Sequence, residues 1–223
     1  MKNNYPKLSS IDAVIFDMDG VLIDSEPLWK IAMDHVFSQY GSKLKAKDFQ
    51  RTVGLRIDHV IEFWNEDQQW NLSDLKIVES QIIDKLTQLI LAHPVPLTGV
   101  IDTLYFLKKE QKKIGLATSS SNRLIQTVLK ALQIEHYFDF AYSAEYEPFG
   151  KPHPGVYIKV ASELQVATHR CLVIEDSLNG VIAGLAAQMK VCCIPEKTHH
   201  VNPKLHVADY HFKDLSQLLK AWQ

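Results

Sequence analysis

Short apolar runs, each four or five residues long and continuous rather than alternating, recur along this 223-residue chain. They are Ala13-Val14-Ile15-Phe16, Lys113-Ile114-Gly115-Leu116-Ala117, Cys171-Leu172-Val173-Ile174 and Val191-Cys192-Cys193-Ile194. A strand that is apolar on both faces must be covered on both, which is the condition of a strand inside a parallel sheet. Phe140-Ala141-Tyr142 and Ala208-Asp209-Tyr210 are weaker runs, expected at sheet edges. Between the runs, apolar residues return at helical spacing. Val100, Ile101, Leu104 and Leu107 share one face over 98–109, and Leu124, Ile125, Val128, Leu129 and Leu132 do so over 121–132. Val156, Tyr157, Val160, Ala161 and Leu164 mark a third helix over 154–164, and 178–189 and 215–222 complete the set. Strand and helix alternate from residue 98 onward, which predicts an α/β fold with a doubly wound parallel sheet.

Residues 26–93 break that alternation. Leu28, Ile31, Ala32, Val36 and Tyr40 form a helical stripe stopped by Gly41. Val60, Ile61 and Trp64 suggest a second helix. Leu75, Val78, Ile82, Ile83, Leu86, Leu89 and Ile90 form a third, with Ser73 as the expected N-cap and Pro94 beyond its end. No strand pattern occurs in this stretch. The expected organisation is therefore a core of 1–25 and 94–223 with an inserted all-helical domain of 26–93. Trp64 and Trp70 are expected in the core of that insertion.

Composition narrows the function classes. Lys and Arg number 24 against 26 Asp and Glu, a net charge of −2, so no basic excess exists to hold a nucleic-acid backbone. Hydrophobic residues at 46% and charged residues at 22% are ordinary for a packed globular chain and exclude wholesale disorder. No apolar run approaches the ~18 residues of a membrane span. Met1 to Ser10 is polar, without an apolar signal core. Cys171, Cys192 and Cys193 lie in apolar runs and are expected as buried thiols. A cytoplasmic protein that is monomeric and contacts neither membrane nor nucleic acid is expected. His199, His200, His206 and His211 show no metal-ligand spacing.

Four places carry unusual polar chemistry, and each follows a predicted strand. In open α/β sheets that edge is where ligands bind. The first is Asp17-Met18-Asp19-Gly20-Val21, whose Gly20 stands at the wrong position for a calcium EF-hand loop. The second is Thr118-Ser119-Ser120-Ser121-Asn122, small hydroxyls at a helix N-terminus, suited to a phosphate or to N-capping. The third is Gly150-Lys151-Pro152-His153-Pro154, where prolines stiffen the approach of a lysine. The fourth is Glu175-Asp176-Ser177, adjacent acids that a hard cation such as Mg²⁺ would balance. Phosphoryl transfer to a carboxylate needs these types. One Asp attacks phosphorus, a second acid protonates the leaving oxygen, and a Lys, a hydroxyl and a metal hold the phosphoryl oxygens.

On these residues the chain resembles the haloacid dehalogenase superfamily. The motifs are Phe16-Asp17-Met18-Asp19-Gly20-Val21-Leu22-Ile23-Asp24-Ser25-Glu26, then Leu116-Ala117-Thr118-Ser119, Lys151-Pro152-His153-Pro154 and Ile174-Glu175-Asp176-Ser177, in that order over nearly the whole chain. The helical insertion resembles the family's first-type cap, and Val53-Gly54-Leu55-Arg56 resembles the branch of β-phosphoglucomutase and of hexitol and 2-deoxyglucose-phosphate phosphatases. The resemblance implies a Mg²⁺-dependent phosphomonoester hydrolase acting on small sugar or sugar-alcohol phosphates, with a β-phosphoglucomutase-like phosphoryl transferase as the alternative. It implies Asp17 as nucleophile and Asp19 as general acid/base. Thr118, Ser119 and Lys151 would bind the phosphoryl group, and Asp17, Asp19 through its carbonyl, Asp176 and Glu175 would hold or surround Mg²⁺. Arg56 and Asn122 would contact the substrate. One departure favours the hydrolase: the mutase carries a His close to where Trp29 stands. A receiver-type signalling domain uses similar chemistry but places its Asp mid-chain without a cap. A catalytically silent binding protein would not need every chemical position intact.

Overall fold

The computed structural model describes residues 5–45, 47–52, 54–195 and 202–223. Six strands form one parallel sheet: β1 (Ala13–Phe16), β2 (Lys113–Thr118), β3 (Phe140–Ser143), β4 (Cys171–Glu175), β5 (Lys190–Cys193) and β6 (Tyr210–His211). Their order is β3-β2-β1-β4-β5-β6, so the two weakest apolar runs are the edge strands. The helices are α1 (Glu26–Phe37), α2 (Ile57–Gln68), α3 (Leu75–Ala92), α4 (Val100–Lys109), α5 (Asn122–Ala131), α6 (Gly155–Glu163), α7 (Leu178–Ala186) and α8 (Leu215–Trp222).

The continuous apolar runs are explained by what covers them. Val14, Phe16, Ile114, Leu116, Leu172 and Ile174 face a core shared with Leu104 of α4, Val128 of α5 and Leu218 of α8. Ala13, Ile15, Ala117, Cys171, Val173, Val191 and Cys193 face the opposite core, with Val156 and Val160 of α6 and Val181 of α7. Cys171, Cys192 and Cys193 are free and buried, and burial pushes the Cys171 and Cys193 thiols up to about 12. No helix among the described residues is long and apolar enough to cross a membrane.

Helices α1, α2 and α3, with 3₁₀ turns at Ser38–Tyr40 and Asp48–Thr52, follow β1, and no strand lies among them in the described residues. Phe37, Ile61, Trp64, Ile82, Leu86 and Ile90 are fully buried together, while Trp70 is only partly buried and packs on Phe37. The ends of this helical segment lie side by side: Leu97 N–H donates to Leu22 O at 3.0 Å, and Ile23 bridges Pro96. Asp74 rather than Ser73 caps α3, because its carboxylate reaches Lys76 N at 2.9 Å and Ile77 N at 3.3 Å. Ser121 caps α5 and Ser177 caps α7, which leaves the carboxylate of Asp176 for other work.

Register then assembles the chemistry. Phe16 of the central strand pairs with Leu116 and with Ile174, so Asp17, Thr118 and Glu175 emerge at the same sheet edge. The turn from β4 into α7 is tight. A Cβ on Gly180 would stand 1.6 Å from Glu175 Oε1, so only glycine lets the first turn of α7 pass over that carboxylate. Gly180→Ala is expected to displace Glu175 and cost about 1–3 kcal/mol of stability through overpacking, read as a lower midpoint in urea unfolding. An unchanged midpoint would mean that the turn yields freely.

Candidate active site

Lys151 is the centre of the sheet-edge cluster. Its side chain is 2% exposed, and its ammonium donates to Asp17 Oδ1 at 2.8 Å, Glu175 Oε1 at 2.7 Å and Ala117 O at 3.0 Å. It also sits 4.8 Å over the ring of Tyr157, a cation–π distance. All three ammonium protons therefore have acceptors. Burial alone would push this ammonium down, but the charges of Asp17 and Glu175 outweigh it and hold the proton above the ordinary lysine range.

Glu175 is fully buried and saturated. Oε1 accepts from Lys151 and from the Tyr157 hydroxyl at 2.7 Å, while Oε2 accepts from Asp176 N, Ser177 N and Ser177 Oγ, each at 3.0 Å. Burial would raise this carboxyl, yet the Lys151 charge and these hydrogen bonds outweigh it and keep the carboxyl below its usual range. A carboxylate has about four lone-pair sites, and five donors already occupy them. The oxygens of Glu175 thus serve Lys151 and the turn into α7, which suits the expected role beside a cation site more than that of a direct ligand.

Asp17 and Asp176 are differently placed. Burial pushes Asp17 up to about 7, with Glu175 and Asp19 adding to the rise and Lys151 opposing it. Asp176 is raised well above the usual carboxylate range by burial and then by the charges of Glu175 and Asp17. Ligand oxygens of Asp17, Glu175 and Asp176 lie within 4.8 Å of one another. Three buried carboxylates share one ammonium, so the cluster has unbalanced negative charge. Gly20, at φ +73°, makes the approach possible, since a Cβ there would stand 1.9 Å from Asp176 Oδ2. An all-oxygen, anionic donor set of this kind fits a hard divalent cation such as Mg²⁺.

Asp19 faces the same pocket from the turn after β1. Its Oδ2 accepts from Ser120 Oγ at 2.6 Å, and its Oδ1 accepts from Trp29 Nε1 at 3.1 Å and from Ser25 Oγ. Thr118 and Ser119 line the pocket beside Asp17, Lys151 and Asp176. Thr118 Oγ1 accepts from Ser120 N at 3.1 Å, which fixes the hydroxyl turn. Trp29, Met33, Phe49, Thr52 and Leu55 of the helical segment form the far wall. The space between these walls is ≈ 750 Å³ when its part open to solvent is included.

Two expected substrate contacts are not brought to this pocket. Arg56 donates through Nε to Asp58 Oδ1 at 3.0 Å and through Nη1 to Ala144 O at 3.0 Å and Glu147 O at 2.9 Å, with Nη2 also on Asp58. The guanidinium ties the start of α2 to the turn after β3. Asn122 begins α5, and its backbone N–H donates to Glu145 Oε1 at 3.0 Å. Val53, His199 and His200 lie outside the described residues, and His211 Nε2 contacts Leu205 O at 3.0 Å, away from the acids.

The sequence reading missed Ser25, Ser120 and Tyr157 as partners of the site, and Phe49 and Thr52 as its wall. Ser120 stood inside a hydroxyl run already noted. Tyr157 was visible only as one position of an apolar helical stripe, and nothing local marks Phe49 or Thr52.

Comparison with known proteins agrees with this geometry. The sequence pattern of the haloacid dehalogenase-like hydrolases matches residues 14–194. Hexitol phosphatase B of Escherichia coli K12 is 36% identical over 207 residues, covering 92% of this chain and 93% of that protein. A phosphorylated carbohydrates phosphatase of Thermotoga maritima is 33% identical over 182 residues, covering 79% of this chain and 82% of that one. Among solved structures, β-phosphoglucomutase of Clostridium difficile superposes with a TM-score of 0.83 at 24% identity, over 95% of this chain and 97% of that one, a likeness of fold. With its sequence pattern, its close relatives and its sheet-edge acids in agreement, the chain belongs to the haloacid dehalogenase-like hydrolase family.

Proposed function

We propose that the protein is a Mg²⁺-dependent phosphatase of small sugar or sugar-alcohol phosphates that works through a phosphorylated Asp17. The observation that carries this reading is the different setting of two carboxylates two residues apart. Asp17 is buried against a lysine, whereas Asp19 is held by hydroxyl and indole donors. The first setting suits a nucleophile beside a phosphate, and the second suits a group that gives and takes protons. The relatives named as hexitol and carbohydrate phosphatases supply the substrate class.

In the first step a carboxylate oxygen of Asp17 bonds to phosphorus, the ester P–O bond breaks, and the leaving alkoxide takes a proton from Asp19. In the second, water attacks the phosphorus of the acyl phosphate. Asp19 takes a proton from that water, and the Asp17 carboxylate is released with inorganic phosphate. Lys151, Thr118 and Ser119 bind the phosphoryl oxygens. Asp17 and Asp176, with the Asp19 carbonyl, are the residues that would hold Mg²⁺. When bound, the cation screens the repulsion between carboxylate and phosphate. Residues 26–93 act as a cap that walls the pocket and keeps bulk water out.

Asp17→Asn is expected to reduce phosphate release from a hexitol phosphate to background, since the amide is a poor nucleophile, while the variant remains folded at the assay temperature by circular dichroism. Parent-like turnover in that variant would end the assignment.

Metal removal gives a second prediction. Asp17 is raised from 3.8 to about 7, so the metal-free folded state holds this proton more tightly than the unfolded chain does. Its contribution to stability is full below the unfolded value and is lost as pH rises through about 7. A cation competes with that proton and relieves the repulsion. Adding Mg²⁺ to EDTA-treated protein should therefore raise Tm more at about pH 8 than at about pH 5.5. Equal increments would disconnect Asp17 from the cation.

Arg56 yields a third. Because its guanidinium joins α2 to the turn after β3, Arg56→Ala should cost about 1–2 kcal/mol of stability after screening. It should lower kcat/KM for a hexitol phosphate and for a small aryl phosphate to similar extents. A loss confined to the hexitol ester would instead make Arg56 a substrate contact.

A further inference from the structure

Ser25 is the N-cap residue of α1, the position where a serine hydroxyl normally accepts a hydrogen bond from the first helical turn. Here it makes no capping bond. It is fully buried, and its hydroxyl goes to Asp19 Oδ1 instead. One turn later, Trp29 N–H bonds Ser25 O at 2.8 Å, so the two residues share one side of α1. The Trp29 indole reaches the same Asp19 oxygen at 3.1 Å while its ring forms part of the pocket wall. Two side chains of one helix therefore converge on one carboxylate oxygen of a neighbouring turn.

The three partners of Asp19 are not equivalent. Ser25 and Ser120 carry hydroxyls, which donate or accept by rotating. The indole N–H only donates. Trp29 thus obliges Oδ1 to remain an acceptor whatever the state of Asp19. With Ser25 also on Oδ1, both lone pairs of that oxygen are used. Oδ2 accepts from Ser120 at 2.6 Å and retains one lone pair.

We infer that Trp29 is a positioning residue for the hydrolytic reaction: its indole N–H anchors Asp19 Oδ1, so that proton exchange with the leaving oxygen and with the attacking water runs through Oδ2. The inference rests on the role of Asp19 proposed above. In the first step the proton on Oδ2 passes to the alkoxide. In the second, Oδ2 takes a proton from water as the acyl phosphate is cleaved. An indole neither stores nor relays a proton, so it orients the carboxylate without competing for that proton.

Trp29→Phe keeps an aromatic wall and removes the donor together with the smaller ring of the indole, a loss of packing that the cycle below separates from the loss of the hydrogen bond. Its kcat for a hexitol phosphate, a poor leaving group, should fall about ten-fold to a hundred-fold, the scale of one hydrogen bond to a charged group, with KM within about two-fold of the parent. Phosphorylation by p-nitrophenyl phosphate, whose leaving group needs little protonation, should fall less. The decisive measurement is a double-mutant cycle with Asp19→Asn, read on the residual turnover of p-nitrophenyl phosphate. In the Asp19→Asn background, adding Trp29→Phe should change kcat by less than about two-fold. An undiminished Trp29→Phe loss in that background, or a rise in KM with kcat intact, would overturn the proposal and make Trp29 a wall alone. Parent-like turnover by Asp19→Asn itself would overturn the acid/base role on which the proposal rests. Should Trp29→Phe fail to fold, Trp29→Met, also donor-free, is read by the same cycle.

Discussion

The ammonium of Lys151 lies between Asp17 and Glu175, within 2.8 Å of each, with almost no contact with water. Desolvating an ion costs several kcal/mol, so this arrangement persists only because every donor of the lysine has an acceptor. Tyr157 below the ammonium and the turn into α7 around Glu175 complete that satisfaction. Removing either partner would leave a buried charge uncompensated. The three sequence-distant motifs at 17, 151 and 175 are therefore one electrostatic unit, and the strand register that places β1 beside β2 and β4 is what closes it. The unit is deliberately short of positive charge. One ammonium faces three buried carboxylates, and burial, with the repulsion among the acids, raises the proton affinity of Asp17 and Asp176.

Close approach is the local condition for such a unit. Gly20 and Gly180 stand where any Cβ would collide with Asp176 or Glu175. Capping follows the same economy. Ser177 caps α7 in place of the acid beside it, and Ser25 leaves α1 uncapped in order to reach Asp19. At Ser25 the local preference for capping gives way to the charge arrangement at the sheet edge, whereas at Ser177 the two coincide.

The parts of this structure that were legible in the sequence are those set by short-range pattern. Ala13-Val14-Ile15-Phe16 reads as a central strand because both of its faces are covered, and the alternation after residue 98 reads as crossovers for the same reason. The acids after β1 and β4 were visible because carboxylates at the end of apolar strands are costly without a counter-ion. What was not legible depends on tertiary partners. The five donors of Glu175 come from Lys151, Tyr157, Asp176 and Ser177, and its pairing with Lys151 and Tyr157 is set by the fold rather than by local sequence. Arg56 reaches, besides the neighbouring Asp58, the carbonyls of Ala144 and Glu147, some ninety residues away in sequence, which no local pattern marks. Phe49 and Thr52 sit on a 3₁₀ turn with no periodic signal, and only packing puts them in the wall.

The position of the helical segment in the chain has a chemical consequence. It leaves the core directly after the turn that carries both Asp17 and Asp19, and it returns beside Leu22 and Ile23. Asp17 nevertheless takes its hydrogen bond from Lys151, a residue of the sheet-edge loops. Asp19 takes two of its three from Ser25 and Trp29, at and within the first turn of α1. A shift of α1 would therefore disturb Asp19 while leaving Asp17 pinned. In the proposed reaction the bond-forming group is thus fixed to the sheet, and the proton-handling group to the element that walls the pocket. On that reading, substitutions in the pocket lining at Phe49, Thr52 or Leu55 leave Asp17 in place, provided that the first turn of α1 continues to hold Asp19.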